Sequence, residues 1–402
     1  MPRLSLWSRY IANGDGPWGN FLHIRIARVS AFDFDIEVGT RNSIGTFYSL
    51  EAYEKVSLDS TLNTYAETMI NDISPYITVA VTGVTLPALT NDDDGVALEN
   101  GAQTLPTVSD YASFYQATPI KIHNVSIIVL PGQSWAVDGS GNAVISETLA
   151  HCEKMKNRVL IIDAPETVEL SNAGEIATMV LPTSSYSVLY YPWVGVSNPV
   201  YHPDRNPSVS STINIAPSAI AAGMWAKFDA ERGVWKAPAG VRAQLNGVSS
   251  LKFQVGNLEQ DKLNPLGVNC IRKMPNFGLV FWGARTLAAT DPEWRYIPVR
   301  RTAIFIEQSI YEGIQWTVFE PNDHRLWSAL RGNIGNFMNG LFRDGAFQGE
   351  KASDAYFVRC GLGDTMTQGD IDAGQVIVIV GFAPLKPAEF VIVRIEQKVT
   401  KQ

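Results

Sequence analysis

The feature that most restricts what this chain can fold into is an alternation of short β-branched runs with helix-length segments, beginning near residue 120. IHNVSIIVLPG reads as a strand, residues 146–157 as a helix, RVLIIDAP as a buried strand, residues 166–179 as a second helix, and SVLYYPWVGV as a further strand. Strands joined through helices need right-handed crossovers, so this region predicts a largely parallel sheet. With 402 residues the chain has room for two or three domains and a substantial core. Hydrophobic residues at 46% and charged residues at 18% describe an ordinary globular protein. The net charge of -8 argues against nucleic acid as a direct partner, which needs clustered positive charge. No apolar run reaches the length of a bilayer span, so no membrane insertion is expected, and the N-terminus lacks a secretory pattern.

Ahead of the sheet, GDGPWGN at residues 14–20 is a turn-rich entry to the alternating strands LHIRIARV and FDFDIEV. Residues 60–73 read as a helix ended before Pro75, and residues 82–111, polar and poorly periodic, as an exposed loop. The NDDDG run in that loop invites a calcium-loop reading, but with Gly95 in the sixth position the first and twelfth positions are Thr90 and Gly101. Both end carboxylates are then absent. Beyond the sheet, residues 198–214 form a Pro-, Ser- and Asn-rich loop that carries His202. Residues 216–230 read as a helix with Pro217 early and Ala222, Trp225 and Ala226 inward, followed by a strand pair over 248–255 and 270–282.

The stretch over 281–323 gathers Trp, Tyr and Arg and then resolves into a helix, whose apolar face is Ala303, Ile306, Ile310 and Ile314. Glu307 and Glu312 lie off that face. Arg285, Arg295, Arg300 and Arg301 stand near aromatic residues in the chain, company that suits bidentate contacts with carboxylates or stacking on ring faces. Pro321-Asn-Asp supplies turn and cap chemistry for a helix over 324–342. Its apolar stripe is Leu326, Leu330, Ile334, Phe337, Met338 and Leu341, with Arg325, Arg331 and Arg343 off it. QVIVIVGFAP and EFVIVRIEQ then read as two strands separated by Pro384-Leu-Lys-Pro.

Little in this pattern points to chemistry. The five histidines are scattered, and no phosphate loop, GxGxxG or GxSxG occurs. His151-Cys152 reads as a helix-resident His beside a buried thiol, and Cys152, Cys270 and Cys360 as reduced cysteines. Asp163 sits at the carboxyl end of a strand, where α/β enzymes often place catalytic groups, although a helix-capping role is favoured. No cofactor and no metal are expected.

Several motifs occur in fixed order: KAPAG, EPND-x3-W, GAF-x-G, AYFVRC, TMTQGDIDAG and VGFAPLKPAEFVIVRIEQ. Over residues 215–397 this series closely resembles the C-terminal half of contractile tail sheath proteins, from phage tails, R-type pyocins and related injection particles. The resemblance implies an α/β and α+β multi-domain fold. A β-rich N-terminal part with a helix and an exposed loop would cover 1–115. A central, mainly parallel α/β domain, subtilisin-like in fold only, would cover 116–280, and an α+β C-terminal domain with a terminal exchange strand 281–402. In that family the WGN-like turn follows an N-terminal region, so the expectation is a truncated chain or a short form.

The implied function is structural. Subunits stack as hexameric rings around an inner tail tube protein, engage baseplate and tail terminator proteins, and contract to drive the tube through the target envelope, as part of a virion tail. The linking strand would be Phe390, Val391, Ile392, Val393, Arg394, Ile395, Glu396 and Gln397, added to a neighbour's open sheet edge. Arg295, Arg300, Arg301, Arg325, Arg331 and Arg343 are candidates for tube or inter-subunit contacts. The subtilisin likeness invites a triad of Asp163, His202 and Ser218, but Ser218 sits in IAPSAIAAG without a Gly-rich oxyanion setting, so catalysis is not expected. Two other readings stand beside this one. One is a cytosolic α/β hydrolase-like enzyme, favoured by the parallel middle and Asp163. The other is a self-assembling capsid or surface-layer protein, favoured by low charge and aromatic richness.

Overall fold

The computed structural model describes residues 8–13, 17–30, 32–42, 45–82, 95–99, 106–121, 124–199, 201, 203 and 209–389. The chain forms two compact units, Met1–Pro106 with Asn198–Thr212, and Thr107–Ser197 with Ile213–Gln402.

The first unit contains β1 (Ser8–Ala12), β2 (Leu22–Arg28), β3 (Asp33–Arg41), β4 (Phe47–Ser57), helix α1 (Ala66–Asn71), β5 (Ile77–Val81) and β6 (Val96–Ala97). β4-β3-β2-β6 make one antiparallel sheet, and β1 pairs with β5. The alternation read from LHIRIARV and FDFDIEV is realised. Leu22, Ile24 and Ile26 face inward from β2, Phe34, Ile36 and Val38 from β3, and the intervening Arg25 and Glu37 pair across the strands at 2.6 Å. The helix expected over 60–73 shortens to Ala66–Asn71, because Asp59 draws the preceding residues into a turn through the Thr61 amide and hydroxyl. Within the predicted loop over 82–111, β6 adds to β2 and a helix starts at Val108.

The second unit runs α2 (Val108–Lys121), β7 (Ile127–Val129), α3 (Ala143–Met155), β8 (Val159–Asp163), α4 (Ala173–Met179), β9 (Ser187–Tyr191), β10 (Val194–Ser197), β11 (Thr212–Ile215), α5 (Pro217–Arg232), β12 (Val248–Leu251), α6 (Asn257–Leu263), β13 (Val268–Met274), β14 (Gly278–Trp282), α7 (Ile297–Gly313), α8 (His324–Arg343), α9 (Ala352–Ala355), β15 (Tyr356–Arg359), α10 (Gln368–Asp372) and β16 (Ile379–Phe382). The central sheet has the order β14-β13-β9-β8-β7. β7, β8, β9 and β13 are parallel and β14 closes the edge antiparallel, as the alternation requires.

Both faces of this sheet are covered, so its inner strands are mostly apolar, with Asp163, Ser187, Asn269 and Arg272 as buried polar exceptions. Leu160 and Ile162 of β8, Leu189 and Tyr191 of β9, and Cys270 of β13 pack under α3, α4 and α6. Val159, Ile161, Val188, Tyr190 and Ile271 pack under α5 and α7. A separate cluster gathers Leu326, Leu330, Ile334, Met338 and Leu341 of α8 around Phe347, Cys360 and Met366.

Local chemistry explains where elements begin. Asn142 caps α3 by accepting from the Val144 and Ile145 amides. α4 starts only at Ala173, seven residues later than expected, because Asn172 and Glu175 form a reciprocal capping box. α5 turns Trp225 inward and half-buries Ala222 as predicted, but its buried stripe is shifted away from Ala226. Ala221, Met224, Trp225 and Phe228 are buried while Ala226 is exposed, since Phe228 continues the stripe begun at Ala221 and Trp225. The expected strand pair is also rearranged. β12 pairs with β10, and residues 270–282 fold on themselves as the β13–β14 hairpin, with Asn276 and Gly278 in left-handed conformations at the turn. The strand read over QVIVIVGFAP is confined to β16, which pairs with β15.

Ile162 lies in the middle of the doubly covered sheet. Ile162→Ala is expected to cost about 2–5 kcal/mol, read as a lower urea midpoint at unchanged m-value.

Candidate functional site

The arginines gathered around residue 300 end on separate partners inside the chain. α7 starts at Ile297 with Pro298 in its first turn, so the Pro- and Arg-rich approach becomes the opening of the helix itself. Arg300 and Arg301 are 8% and 6% exposed. The Arg300 guanidinium lies 3.5 Å from the centre of the Trp294 ring and 4.4 Å from that of Tyr186, and its Nε donates to Ser185 Oγ at 2.9 Å. Burial holds its pKa below the usual arginine range. Arg301 lies over the Trp225 ring at 4.6 Å and donates to both oxygens of Asp229 at 2.9 and 2.5 Å, tying α7 to the end of α5. Arg295, half-buried, donates to the Ala289 carbonyl at 2.7 Å.

Arg285 reaches a carboxylate 104 residues further along the chain. Its guanidinium grips Glu389 through Nε at 2.9 and 3.2 Å and through Nη2, and its Nη1 donates to the Asn264 carbonyl at 3.2 Å. Glu389 is the last described residue, so the predicted linking strand, 390–397, lies outside the described residues.

α8 carries the other three arginines on its exposed surface. Asp323 caps it by accepting from the Arg325 and Leu326 amides at 2.9 and 3.1 Å, the chemistry expected of Pro321-Asn-Asp. Arg325 and Arg343 are exposed at its two ends, while Arg331 donates to the Cys360 carbonyl. Beside this helix stands the β15–β16 ribbon, to which no third strand is added among the described residues. The turn from α7 toward α8 exposes Tyr311, Trp316, Val318 and Phe319, and Phe319 is fully exposed in a left-handed backbone conformation.

Asp163 and Ser218 do come together. Asp163 Oδ1 accepts from the Ser218 amide at 2.9 Å and Oδ2 from its hydroxyl at 2.5 Å, which makes the carboxyl the N-terminal cap of α5. His202 lies outside the described residues. Burial pushes the Asp163 carboxyl up to about 6, against the lowering effect of the Ser218 bonds. His151 stacks on Tyr115 at 4.3 Å, and burial with neighbouring Arg158 and Lys154 holds its pKa below the usual value. Cys152, Cys270 and Cys360 are free and buried, and burial pushes Cys152 and Cys270 up to about 12. No cluster of three metal-ligating side chains occurs among the described residues, and no helix among them is long and apolar enough to cross a membrane.

Residues 106–287 match the family model of the phage tail sheath protein central domain, and residues 289–398 that of the phage tail sheath C-terminal domain. A chain in the sheath complex of the PVC extracellular contractile injection system, in its contracted state, is 34% identical, with a TM-score of 0.62. The match covers 72% of this chain and 75% of that one. The chain belongs to the contractile tail sheath family. A chain in the anti-feeding prophage baseplate is 35% identical, with 74% of this chain and 76% of the other covered and a TM-score of 0.60. Among curated relatives, the tail sheath protein of Burkholderia phage BcepMu is 31% identical over 207 residues, 48% of this chain. The alignment spans 41% of that relative's length, so this sheath-family chain matches less than half of it.

The ring and carboxylate partners expected from the sequence are found for Arg285, Arg300 and Arg301, whereas Arg295 takes a backbone carbonyl, and neither Asp229 nor Glu389, 72 and 104 residues away, could be named. Sequence reasoning also missed Asn269, whose fully buried side chain bonds the Arg285 backbone at both ends.

The Asp163 shift carries a definite sign. The folded carboxyl keeps its proton to about pH 6, above the ordinary aspartate range, so its stabilising contribution is fully present below about pH 4 and is lost as pH rises through 6. Going from pH 7 to pH 5 should therefore add on the order of 1 kcal/mol to folding stability through this group. Asp163→Asn removes that increment, measured as the difference between the two proteins in denaturant unfolding at each pH. Arg301→Lys, which keeps the charge but loses the fork and the ring contact, is expected to cost about 1–3 kcal/mol in the same measurement.

Proposed function

We propose that the chain is a structural subunit of a contractile sheath. It polymerises with copies of itself as stacked hexameric rings around an inner tube, and shortens to drive that tube through a target envelope. The observation that carries this reading is the likeness, at 34% identity, to a chain of a sheath complex in its contracted state. Baseplate and tail terminator proteins would bound the polymer, within a virion tail or a related injection particle.

The geometry supports self-assembly in two ways. Tyr311, Trp316, Val318 and Phe319 leave apolar surface exposed on one turn, an arrangement that favours a protein partner. A two-stranded ribbon such as β15–β16 is marginal alone and gains from added strands, which makes it the acceptor for a linking strand. The donor is the run Phe390, Val391, Ile392, Val393, Arg394, Ile395, Glu396 and Gln397 of a neighbouring copy. At about 1 kcal/mol net per hydrogen bond, one such strand contributes several kcal/mol before ordering costs, repeated at every subunit. The extended polymer is then held by kinetic barriers, and its contraction draws on new interfaces between rigid subunits.

Arg325 and Arg343 suit the inner tube, where polar contacts can form and release. Arg331 is partly committed to Cys360, while Arg301 ties α7 to α5, Arg300 ties α7 to the segment before β9 and Arg295 braces the loop ahead of α7.

Negative-stain microscopy of the purified chain should show hollow striated tubes. Discrete particles at assembly concentrations would defeat the reading, and flat lattices would favour a surface-layer role. Arg325→Glu with Arg343→Glu should weaken co-assembly with the tube by at least about tenfold while leaving the thermal midpoint unchanged. Equal co-assembly would remove α8 from the tube interface.

A further inference from the structure

Residues 383–389 form a strap between two parts of the second unit. At one end the strap is held to the C-terminal ribbon. The Ala383 amide donates to the Ala355 carbonyl at 2.8 Å, the Gln348 amide donates to the Ala383 carbonyl at 2.9 Å, and Pro384 bridges Phe347. At the other end Glu389 enters a nearly closed polar seat, with its side chain 14% exposed beside an Arg285 side chain 9% exposed. Three elements converge on that one carboxylate. Arg285, following β14, grips both oxygens, Tyr296 at the start of α7 donates to Oε2 at 3.3 Å, and Asn264 beyond α6 reaches Oε1 at 3.5 Å. Between the ends, Lys386 Nζ donates to the Pro292 carbonyl at 3.1 Å. Pro384 and Pro387 restrict φ along the strap, so few backbone conformations join its two attachments.

Arg285 is itself fastened to the middle of the central sheet. Its amide donates to Asn269 Oδ1 at 2.7 Å, and Asn269 Nδ2 donates back to the Arg285 carbonyl at 2.7 Å and to the Leu189 carbonyl on β9 at 3.0 Å. A continuous hydrogen-bonded path therefore runs from β9 through β13 to Glu389, the residue immediately before 390–397. The adjoining hollow of about 730 Å3 is lined by Gln260, Asn264, Arg272, Trp282 and Glu389, so the strap end stands at an open rim.

We infer that Arg285 is a positioning residue for subunit linkage. Through Glu389 it pins the root of the terminal strand to the central sheet, so that a pull on the strand is resisted by the sheet and not by the two-stranded β15–β16 ribbon. This rests on the reading of residues 390–397 as the linking strand. A buried bidentate pair suits the task because it resists displacement in direction as well as distance, whereas a single apolar contact can slide. The hydrogen bonds to Glu389, with its opposite charge, also hold the Arg285 pKa above its ordinary value.

The test uses the full chain carrying Glu389→Gln, which keeps shape and acceptor oxygen but removes the charge, and Arg285→Lys, which keeps the charge but loses the fork. Hydrogen–deuterium exchange is read first on the unassembled protein. Amides within 385–389 should exchange at least about tenfold faster in both variants, with peptides covering β8 and β9 unchanged. Tubes of these variants should then form at higher protein concentration, or break more readily under shear, than wild-type tubes. Wild-type exchange rates at the strap in Glu389→Gln overturn the pin. Faster exchange with tubes of unchanged strength overturns its role in linkage. Removal of residues 390–402 tests the underlying reading separately, since tubes that persist without them dismiss the linking strand whatever the strap does.

Discussion

The side-chain amide of Asn269 is the constraint on which most of the second unit depends. It sits on β13 with no exposed surface, at the place where the parallel sheet must hand the chain to an antiparallel edge strand and then to the C-terminal helices. Its nitrogen serves the carbonyls of Leu189 and Arg285, and its oxygen takes the Arg285 amide. A buried amide is costly unless its polar atoms are satisfied, and here satisfaction is possible only if β9, β13 and the segment after β14 are all in place. The same geometry that makes the sheet continuous therefore fixes where Arg285 stands, and with it the seat of Glu389.

The neighbouring arginines follow one physical rule. Arg285, Arg300 and Arg301, drawn into the interior, each meet a ring face or a carboxylate fork, and Arg301 meets both. Arg300 rests between Trp294 and Tyr186, and Arg301 between Trp225 and Asp229. Together they bind α7 to α5 and to the strand below, so the helices over the sheet behave as one block. The outward surfaces differ in kind. α8 offers arginines on a polar face, and the turn before it offers exposed aromatic side chains.

Much of the architecture could be read from residue pattern. The parallel order of β7, β8, β9 and β13 was implied by β-branched runs spaced by helices, and the α8 stripe by its apolar spacing. Asp163 as a helix cap was the favoured reading and is what the structure contains. Errors fell where short-range chemistry competed with periodicity. Asn172 delayed α4, the Asn276–Gly278 turn split one predicted strand into a hairpin, and a helix at residue 108 arose where the sequence looked merely polar. The run 390–397 was legible as a β-rich segment, but the pairing of Glu389 with Arg285 was not, because a lone acidic residue after two prolines carries no periodic signal.

The sequence by itself determined the covered parallel sheet, the amphipathic helices and the residue types suited to ring and carboxylate contacts. These follow from side-chain periodicity and backbone preference, which act over a few residues. Only the tertiary structure decided which carboxylate each arginine took, which strand β12 joined, and that Glu389 returns to the central sheet. Those outcomes join positions 72, 54 and 104 residues apart. Contacts at that range are chosen by burial and by the need to pair every polar group left inside, a condition that exists only once the core has formed.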